Sequence, residues 1–302
     1  MRIKTLLLVM VIGGMLTLAS FTSYTLYSRG DVNQDGSVNI SDVTCLIDYL
    51  LSECESWDGD ESAPETETFT VNGVSFKMVA VKGGMFTMGT IDNQYTVETP
   101  HQVILSDYRI GETEVTQELW LAVMGSNPSE FSAANGYDED LKRPVESISW
   151  SNAKRFITKL NQLTGREFRL PSEAQWEFAA RGGCMSQGFQ FAGSDNYLDV
   201  AWCATNSGMM THAVATKIPN ELGLYDMTGN VWEWCEDTPY GYFPATQIDP
   251  CPVNDIGQHT KRILRGGSWK ESEDDYHWLS VLHRNQYNYQ DDYKYFGLRL
   301  AM

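Results

Sequence analysis

Alternating hydrophobic and polar residues predict short β-strands in the middle of the chain. Apolar side chains recur at every second position, or nearly so, within residues 76–81, 86–88 and 101–105. Because successive side chains of a strand point to opposite faces, this spacing gives each strand one buried face. We therefore expect a sheet-containing domain that begins near Phe69.

A spacing of three and four residues between apolar positions predicts helices. Thr116 opens a first helix that ends near Gly125, and a second helix covers residues 151–163. Threonine is a favoured N-cap, and glycine readily adopts the left-handed backbone that ends a helix. A third, shorter helix begins at Ser172, where Gln175 completes a capping box.

Beyond Gly182 the chain is dominated by loops. Gly, Asn, Asp and Pro are frequent there, and only short strands are expected, at residues 263–264 and 298–300. So much irregular chain needs support from bound ions or aromatic packing. Few helices, short strands and long loops together predict an α+β fold.

The N-terminus has the pattern of an export signal. Arg2 and Lys4 precede an apolar stretch at residues 6–18, which small residues follow. We therefore expect a signal peptide over residues 1–22 and a secreted, periplasmic or cell-surface protein. The stretch is short for a membrane span, and an uncleaved membrane anchor is the alternative. In an exported chain the six cysteines allow up to three disulfides, with unpaired buried thiols as the alternative.

The chain is strongly acidic. Its 302 residues carry a formal net charge of −18. This charge argues against nucleic acid and anionic membrane surfaces as partners, because like charges repel, and it favours cations. Residues 55–68 are also acidic and lack large apolar side chains apart from Trp57, so they are predicted to form a linker.

Regularly spaced oxygen-bearing side chains predict a calcium loop at residues 31–42. They occupy positions 1, 3, 5, 9 and 12 of a twelve-residue loop, and Gly36 stands where the chain must turn sharply. The predicted ligands are the side chains of Asp31, Asn33, Asp35, Asn39 and Asp42 and the carbonyl of Ser37. The alternative is a polar turn before a short helix. Together with that helix, residues 30–54 resemble one repeat of a type I dockerin, which implies a cohesin-like partner, although dockerins normally carry two repeats.

Two carboxylates surround a Gly-Asn turn in residues 223–234. Asp226 and Glu233 lie seven positions apart, and Gly229 permits a turn that points backbone carbonyls inward. Carboxylates and converging carbonyls suit calcium, which prefers oxygen ligands. The alternative is a core turn, packed by tryptophans, in which the two carboxylates are solvated or cap the backbone.

This segment is one of several motifs that together resemble the formylglycine-generating enzyme (sulfatase-modifying factor) family. In chain order the motifs lie at residues 84–89, 99–101, 114–116, 144–150, 169–183, 223–234, 265–269 and 296–300. The resemblance assigns residues 69–302 to one domain and implies a loop-rich, C-type-lectin-like α+β fold. It also implies that structural calcium is coordinated by Asp226, Gly229, Val231 and Glu233.

The chain departs from the family at the catalytic cysteines. The resemblance places Glu271 and Tyr276 where active members carry two cysteines, whereas Ser268 is retained. Thiolates can hold soft copper and pass through a disulfide, which a carboxylate and a phenol cannot do. We therefore expect no catalytic residues, no copper and no formylglycine formation. The alternatives are a formylglycine-generating or non-haem iron type of enzyme with an extracytoplasmic substrate, or relocated thiols at Cys235 and Cys251.

Aromatic side chains are concentrated in residues 269–296. Tyrosine and tryptophan supply rigid contact area, and Asn and Asp supply adaptable hydrogen bonds, as in binding loops. In lectin-fold relatives this segment forms the binding face, so the resemblance implies a protein, peptide or glycan ligand. The alternative is that the aromatic side chains belong to the core. The predicted ligand-binding residues are Tyr276, Trp278, Tyr287, Tyr289 and Tyr293.

Overall fold

The computed structural model describes residues 10–12, 15–17, 63–90, 100–239, 246–252 and 260–302. The predicted calcium loop lies outside the described residues, as does most of the predicted linker. The chain divides into two units, Met1–Glu53 and Cys54–Met302. In the first unit, β1 (Met10–Ile12) pairs antiparallel with β2 (Met15–Thr17). No helix within the described ranges is long and apolar enough to cross a membrane.

The strands of the second unit form three small sheets. In chain order they are β3 (Thr66–Val71), β4 (Val74–Val81), β5 (Gly84–Met88), β6 (His101–Leu105), β7 (Tyr108–Gly111), β8 (Trp232–Trp234), β9 (Gln247–Ile248), β10 (Lys261–Arg265), β11 (Arg284–Asn288) and β12 (Phe296–Gly297). β4 lies between β3 and β7, and both pairings are antiparallel. β6 pairs antiparallel with β5 and parallel with β9. The third sheet has the order β11–β10–β8–β12, in which β8 and β12 are parallel.

The strands predicted at residues 76–81, 86–88, 101–105 and 263–264 are confirmed, because β4, β5, β6 and β10 contain them. β3 begins at Thr66, inside the predicted linker. Its threonines are exposed and alternate with buried apolar side chains further along the strand, a pattern that suits one strand with a single buried face.

The strand predicted at residues 298–300 is wrong. β12 ends at Gly297, and the chain beyond it is bonded in turn to different segments rather than to one partner strand. Ala301 bridges to both Ile110 and Arg169. The last residues of the chain are thus held between two separate parts of the domain.

All three predicted helices are confirmed. The helices are α1 (Gln117–Met124), α2 (Trp150–Thr164), α3 (Glu173–Ala180) and α4 (Tyr197–Val200). Thr116 caps α1, and the capping box of Ser172 and Gln175 begins α3. α2 starts one residue earlier than predicted because Ser149 is its cap. α4 was not predicted, since four residues are too few to show a helical period.

The core packs the C-terminal strand β12 against residues 223–234, the second predicted calcium site, which we call the ion loop. One hydrophobic cluster joins α1 and α2 to β8 and β12, and a second joins α3 to β4 and β6. A Cβ at Gly297 would lie 2.6 Å from Val231 Cγ2 and 2.8 Å from the Val145 carbonyl oxygen. Glycine is therefore required at position 297, where β12 passes the ion loop. The chain beyond it places Arg299 in contact with Glu233 of that loop.

Candidate functional site

The backbone of residues 223–234 requires the glycine of its Gly-Asn turn. Gly229 has a φ of 83°, and a Cβ there would lie 2.5 Å from the Trp202 carbonyl oxygen. The Asn230 N–H donates to that same oxygen at 2.8 Å. Any larger residue at position 229 would push the Gly229–Asn230 turn away from Trp202. The turn directs both predicted carboxylates into the protein.

Asp226 has one carboxylate oxygen without a partner. The residue is only 3% exposed. Its Oδ2 accepts a hydrogen bond from the Ala215 N–H at 2.8 Å, whereas Oδ1 is buried and has no hydrogen-bond partner among the described residues. Burial is the main cause that raises the pKa of Asp226 to about 6. Such an oxygen is costly unless a proton, a water molecule or a cation satisfies it.

Glu233, by contrast, is fully paired inside the protein. Arg299 Nη2 donates to Glu233 Oε1 at 2.7 Å, and Arg299 Nε lies 3.1 Å from Oε1 and 3.0 Å from Oε2. Trp176 Nε1 donates to Oε2 at 2.7 Å. An ionised carboxylate has about four acceptor positions, and three N–H groups, with that of Arg299 Nε shared between the two oxygens, occupy most of them. Arg299, which the sequence did not predict as a site residue, therefore neutralises Glu233.

A third carboxylate, Glu114, lies beside these two and was also missed. It is buried and accepts hydrogen bonds from Asn230 Nδ2 at 2.7 Å and from the Val231 N–H at 3.1 Å. Burial raises the pKa of Glu114 well above its usual value, and the charges of Asp226 and Glu233 raise it further. The signal that could have identified it was its place in the Glu-Val-Thr motif.

The donors of this cluster fit a hard cation. Three carboxylates, those of Glu114, Asp226 and Glu233, interact with one guanidinium, that of Arg299, so acidic groups outnumber basic ones. Within the described ranges, no three His, Cys, Asp or Glu side chains are arranged to hold a metal ion. An ion here would therefore use Asp226 and backbone carbonyls of residues 223–234. Oxygen donors of this kind suit calcium.

The position of the first family cysteine is filled by a buried carboxylate. Glu271 is 2% exposed, and its Oε1 accepts hydrogen bonds from Ser268 Oγ at 3.1 Å and from Trp232 Nε1 at 3.0 Å. Burial raises the pKa of Glu271. Ser268 thus serves as a hydrogen-bond donor to Glu271. The second position, Tyr276, is exposed instead and stacks on Tyr197.

The cysteines do not form the full set of three disulfides that six would allow. Cys184 is disulfide-bonded, whereas Cys203, Cys235 and Cys251 are free. Burial raises the pKa of the Cys235 thiol well above its usual value, so it is protonated at neutral pH. A protonated thiol is a poor metal ligand and nucleophile. These facts argue against Cys235 as a relocated catalytic thiol.

The five predicted ligand-binding aromatics fall into two groups. Tyr276 and Tyr293 are exposed, whereas Trp278, Tyr287 and Tyr289 are half-buried and pack against the main core. The Tyr287 ring centroid lies 5.7 Å from that of Tyr293. Some of these side chains therefore support the core while others are free to meet a ligand.

The comparisons with known proteins show the family of the chain. Residues 63–302 match the family model described as the sulfatase-modifying factor enzyme 1-like domain, and residues 29–72 match the dockerin type I domain. The chain belongs to the sulfatase-modifying factor family. The predicted α+β, loop-rich fold of that family is confirmed.

Two similar proteins and one similar solved structure illustrate the range of names among the relatives of this chain. The chain is 32% identical over 249 residues to the chaperone protein LppX of Paenibacillus barcinonensis, a match that covers 66% of this chain and 80% of LppX. It is 33% identical over 151 residues to the inactive C-alpha-formylglycine-generating enzyme 2 of Mus musculus, which covers 46% of this chain and 42% of the mouse protein. The solved structure of Treponema denticola variable protein 1 superposes with a TM-score of 0.70 at 34% identity, covering 79% of this chain and 99% of that one.

Proposed function

We propose that this protein is a secreted, calcium-stabilised binding protein that has lost the cysteine-oxidising reaction of its family. The observation that carries the proposal is Glu271, a buried carboxylate bonded to Ser268 where a catalytic cysteine would stand. Two relatives have names that fit this proposal, a chaperone protein and an inactive formylglycine-generating enzyme. The ligand is a protein, peptide or glycan that contacts the exposed tyrosines Tyr276 and Tyr293.

We expect no conversion of a sulfatase-type cysteine peptide to formylglycine, with or without added copper. Glu271 and Tyr276 cannot replace a thiolate pair, because the reaction needs a nucleophilic sulfur held on a soft metal. The full chain would be incubated with the peptide, and the aldehyde product would be followed by mass spectrometry. An active formylglycine-generating enzyme serves as the positive control. Turnover above the rate without enzyme would disprove the proposed loss of catalysis.

The N-terminal calcium loop is proposed to bind one ion and to present the dockerin-like segment to a cohesin-like partner. The match of residues 29–72 to the dockerin type I domain supports calcium binding. The signal at residues 1–22 would export both units. Oxygen donors from five side chains and one carbonyl nearly complete the six to eight ligands that calcium takes.

Replacing Asp31 and Asp35 together with alanine should remove one bound calcium per chain. Two of the charged ligands would be lost, and the loop would no longer balance the charge of the ion. Isothermal titration calorimetry of the full chain would count the ions. The matched control replaces Asp58 and Asp60 with alanine, which removes two acidic residues outside the loop. The same stoichiometry in the loop variant and the parent would show that the loop is only a polar turn.

A further inference from the structure

Two exposed segments of the second unit meet in one aromatic patch. Tyr197 in α4 and Tyr276 in the 3₁₀ helix Glu273–Leu279 lie nearly parallel, with ring centroids 6.2 Å apart and an angle of 19° between planes. Tyr276 is 37% exposed, and the neighbouring Leu198 and Ile218 are 37% and 56% exposed. We define these four residues as the tyrosine patch.

The tyrosine patch packs on a small buried hydrophobic cluster. The Tyr197 ring packs edge-on against Phe191 at 5.8 Å, on a small buried cluster that also contains Val200 and Leu279. The Ile218 N–H donates to the Asp199 carbonyl at 3.3 Å and thereby fixes the third segment of the patch. Exposed apolar groups on such a rigid base are expected at a binding surface rather than in a mobile loop.

Acidic side chains accompany both tyrosines. Asp195 and Asp199 flank Tyr197 in sequence, and Asp274 and Asp275 immediately precede Tyr276. Three of them accept hydrogen bonds from neutral groups: Asp195 from the Gln190 N–H at 2.9 Å, Asp199 from Ser194 Oγ at 3.3 Å and Asp275 from Ser272 Oγ at 3.1 Å. Within the part of the chain that the structure describes, none of the four aspartates forms an ion pair.

Lys217, a cation beside Leu198, is already engaged. Lys217 Nζ donates to the Leu198 carbonyl at 2.7 Å and lies 4.4 Å from the centroid of the Trp202 ring. The patch therefore combines the exposed ring of Tyr276, stacked on the half-buried Tyr197, with carboxylates that form no ion pair among the described residues. A positively charged group is complementary to both features, because aromatic faces attract cations and carboxylates pair with them.

We propose that the tyrosine patch binds an arginine-bearing, extended segment of a partner protein. A guanidinium is planar and weakly hydrated, so it stacks on tyrosine and pairs with a carboxylate at the same time, which an ammonium does less well. Leu198 and Ile218 would receive an apolar side chain beside the arginine. This inference rests on the proposed binding function and specifies the chemistry of the partner.

The test uses the full chain with calcium and a fluorescent peptide of alternating arginine and leucine. Fluorescence anisotropy at physiological salt would measure its affinity. The comparison peptide replaces each arginine with citrulline, which keeps the shape and removes the charge. We expect the citrulline peptide to bind at least about tenfold more weakly, as befits the loss of a charge-assisted contact. Equal binding of the two peptides, or no binding of the arginine peptide, would overturn the proposal.

The variants separate the patch from general charge attraction. Tyr276→Ala should weaken the arginine peptide about fivefold, the size of one cation–π contact, whereas Tyr276→Phe should retain most of the affinity. Leu163→Ala is the matched control, because it removes an exposed apolar side chain of α2, outside the patch and outside the predicted ligand-binding residues. Unchanged binding by Tyr276→Ala, or equal weakening by Leu163→Ala, would overturn the assignment to this patch.

The outcome is distinguishable from failure of the proposed function. Turnover of the cysteine peptide would disprove the loss of catalysis and leave an arginine-peptide result standing. A failure to bind the arginine peptide in a catalytically inert protein would overturn only the partner chemistry.

Discussion

Replacing Arg299 with methionine should lower the free energy of unfolding by about 3–5 kcal/mol, because it leaves the buried charge of Glu233 without its partner. Both side chains are at most 1% exposed. The guanidinium also donates to the Gly111 carbonyl at 2.8 Å and to the Tyr225 carbonyl at 2.7 Å. One side chain thus ties the C-terminal segment to two separate parts of the domain, β7 and the loop of residues 223–234.

Urea denaturation at neutral pH in the presence of calcium would measure this loss. Arg109→Met is the matched control, since Arg109 pairs with Glu65 and Glu67 near the surface and should cost no more than about 1 kcal/mol. The loss of stability in Arg299→Lys should lie between those of Arg299→Met and Arg109→Met. Lysine keeps the positive charge but lacks the planar guanidinium that bonds both carboxylate oxygens. The double variant Glu233→Gln with Arg299→Met should recover part of the loss. If Arg299→Met cost no more than Arg109→Met, the buried pair would have no special role in stability.

Local signals explain why the helices and most strands could be predicted. The cap of Thr116, the capping box of Ser172 and the left-handed Gly125 each act within one helical turn. Alternation within β4 and β6 is likewise contained in a few residues. Short-range chemistry of this kind can be read from neighbouring positions.

The charge partners of the ion loop could not be predicted in the same way. Asp226 and Glu233 have the same type of side chain and share one loop. Arg299, 66 residues beyond Glu233, nevertheless pairs with Glu233, whereas Asp226 Oδ1 has no hydrogen-bond partner in the described part of the chain. Glu114 reaches Asn230 across 116 residues. Such pairs form only when the fold brings distant segments together, so no local pattern reports them.

The exposure of the aromatic side chains in residues 269–296 could not be predicted from the sequence either. Its composition predicted contact residues, but Tyr287 is half-buried against the core because it packs on Phe296 at 4.8 Å. The partner of exposed Tyr276 is Tyr197, which lies in a helix that the sequence did not predict. Composition identified the segment, whereas the exposure of each ring depended on its tertiary neighbours.

Chelation of calcium should lower the melting temperature of the second unit through Asp226. The ion would satisfy Oδ1 of Asp226 and offset the excess of buried carboxylates, so its removal leaves an unpaired charge that is buried away from water. A ligand present at about one hundred times its dissociation constant stabilises the folded state by about 2.7 kcal/mol. For a domain of this size we expect a fall of about 5–10 °C.

The measurement requires a chain whose N-terminal loop, residues 31–42, binds no calcium. We would use the full chain with Asp31→Ala and Asp35→Ala and compare melting curves with calcium and with chelator. Adding Asp226→Asn should abolish the difference between the two curves, because the amide keeps the shape and loses the charge. Adding Asp237→Asn is the matched control: this buried carboxylate accepts the Glu173 N–H at 2.8 Å, outside the loop, so the response to chelator should remain. Identical curves with and without chelator before Asp226 is changed would show that no ion stabilises this loop. Asp226 Oδ1 would then be satisfied by a proton or a water molecule, and the fold would be supported by the Glu233–Arg299 pair without a metal.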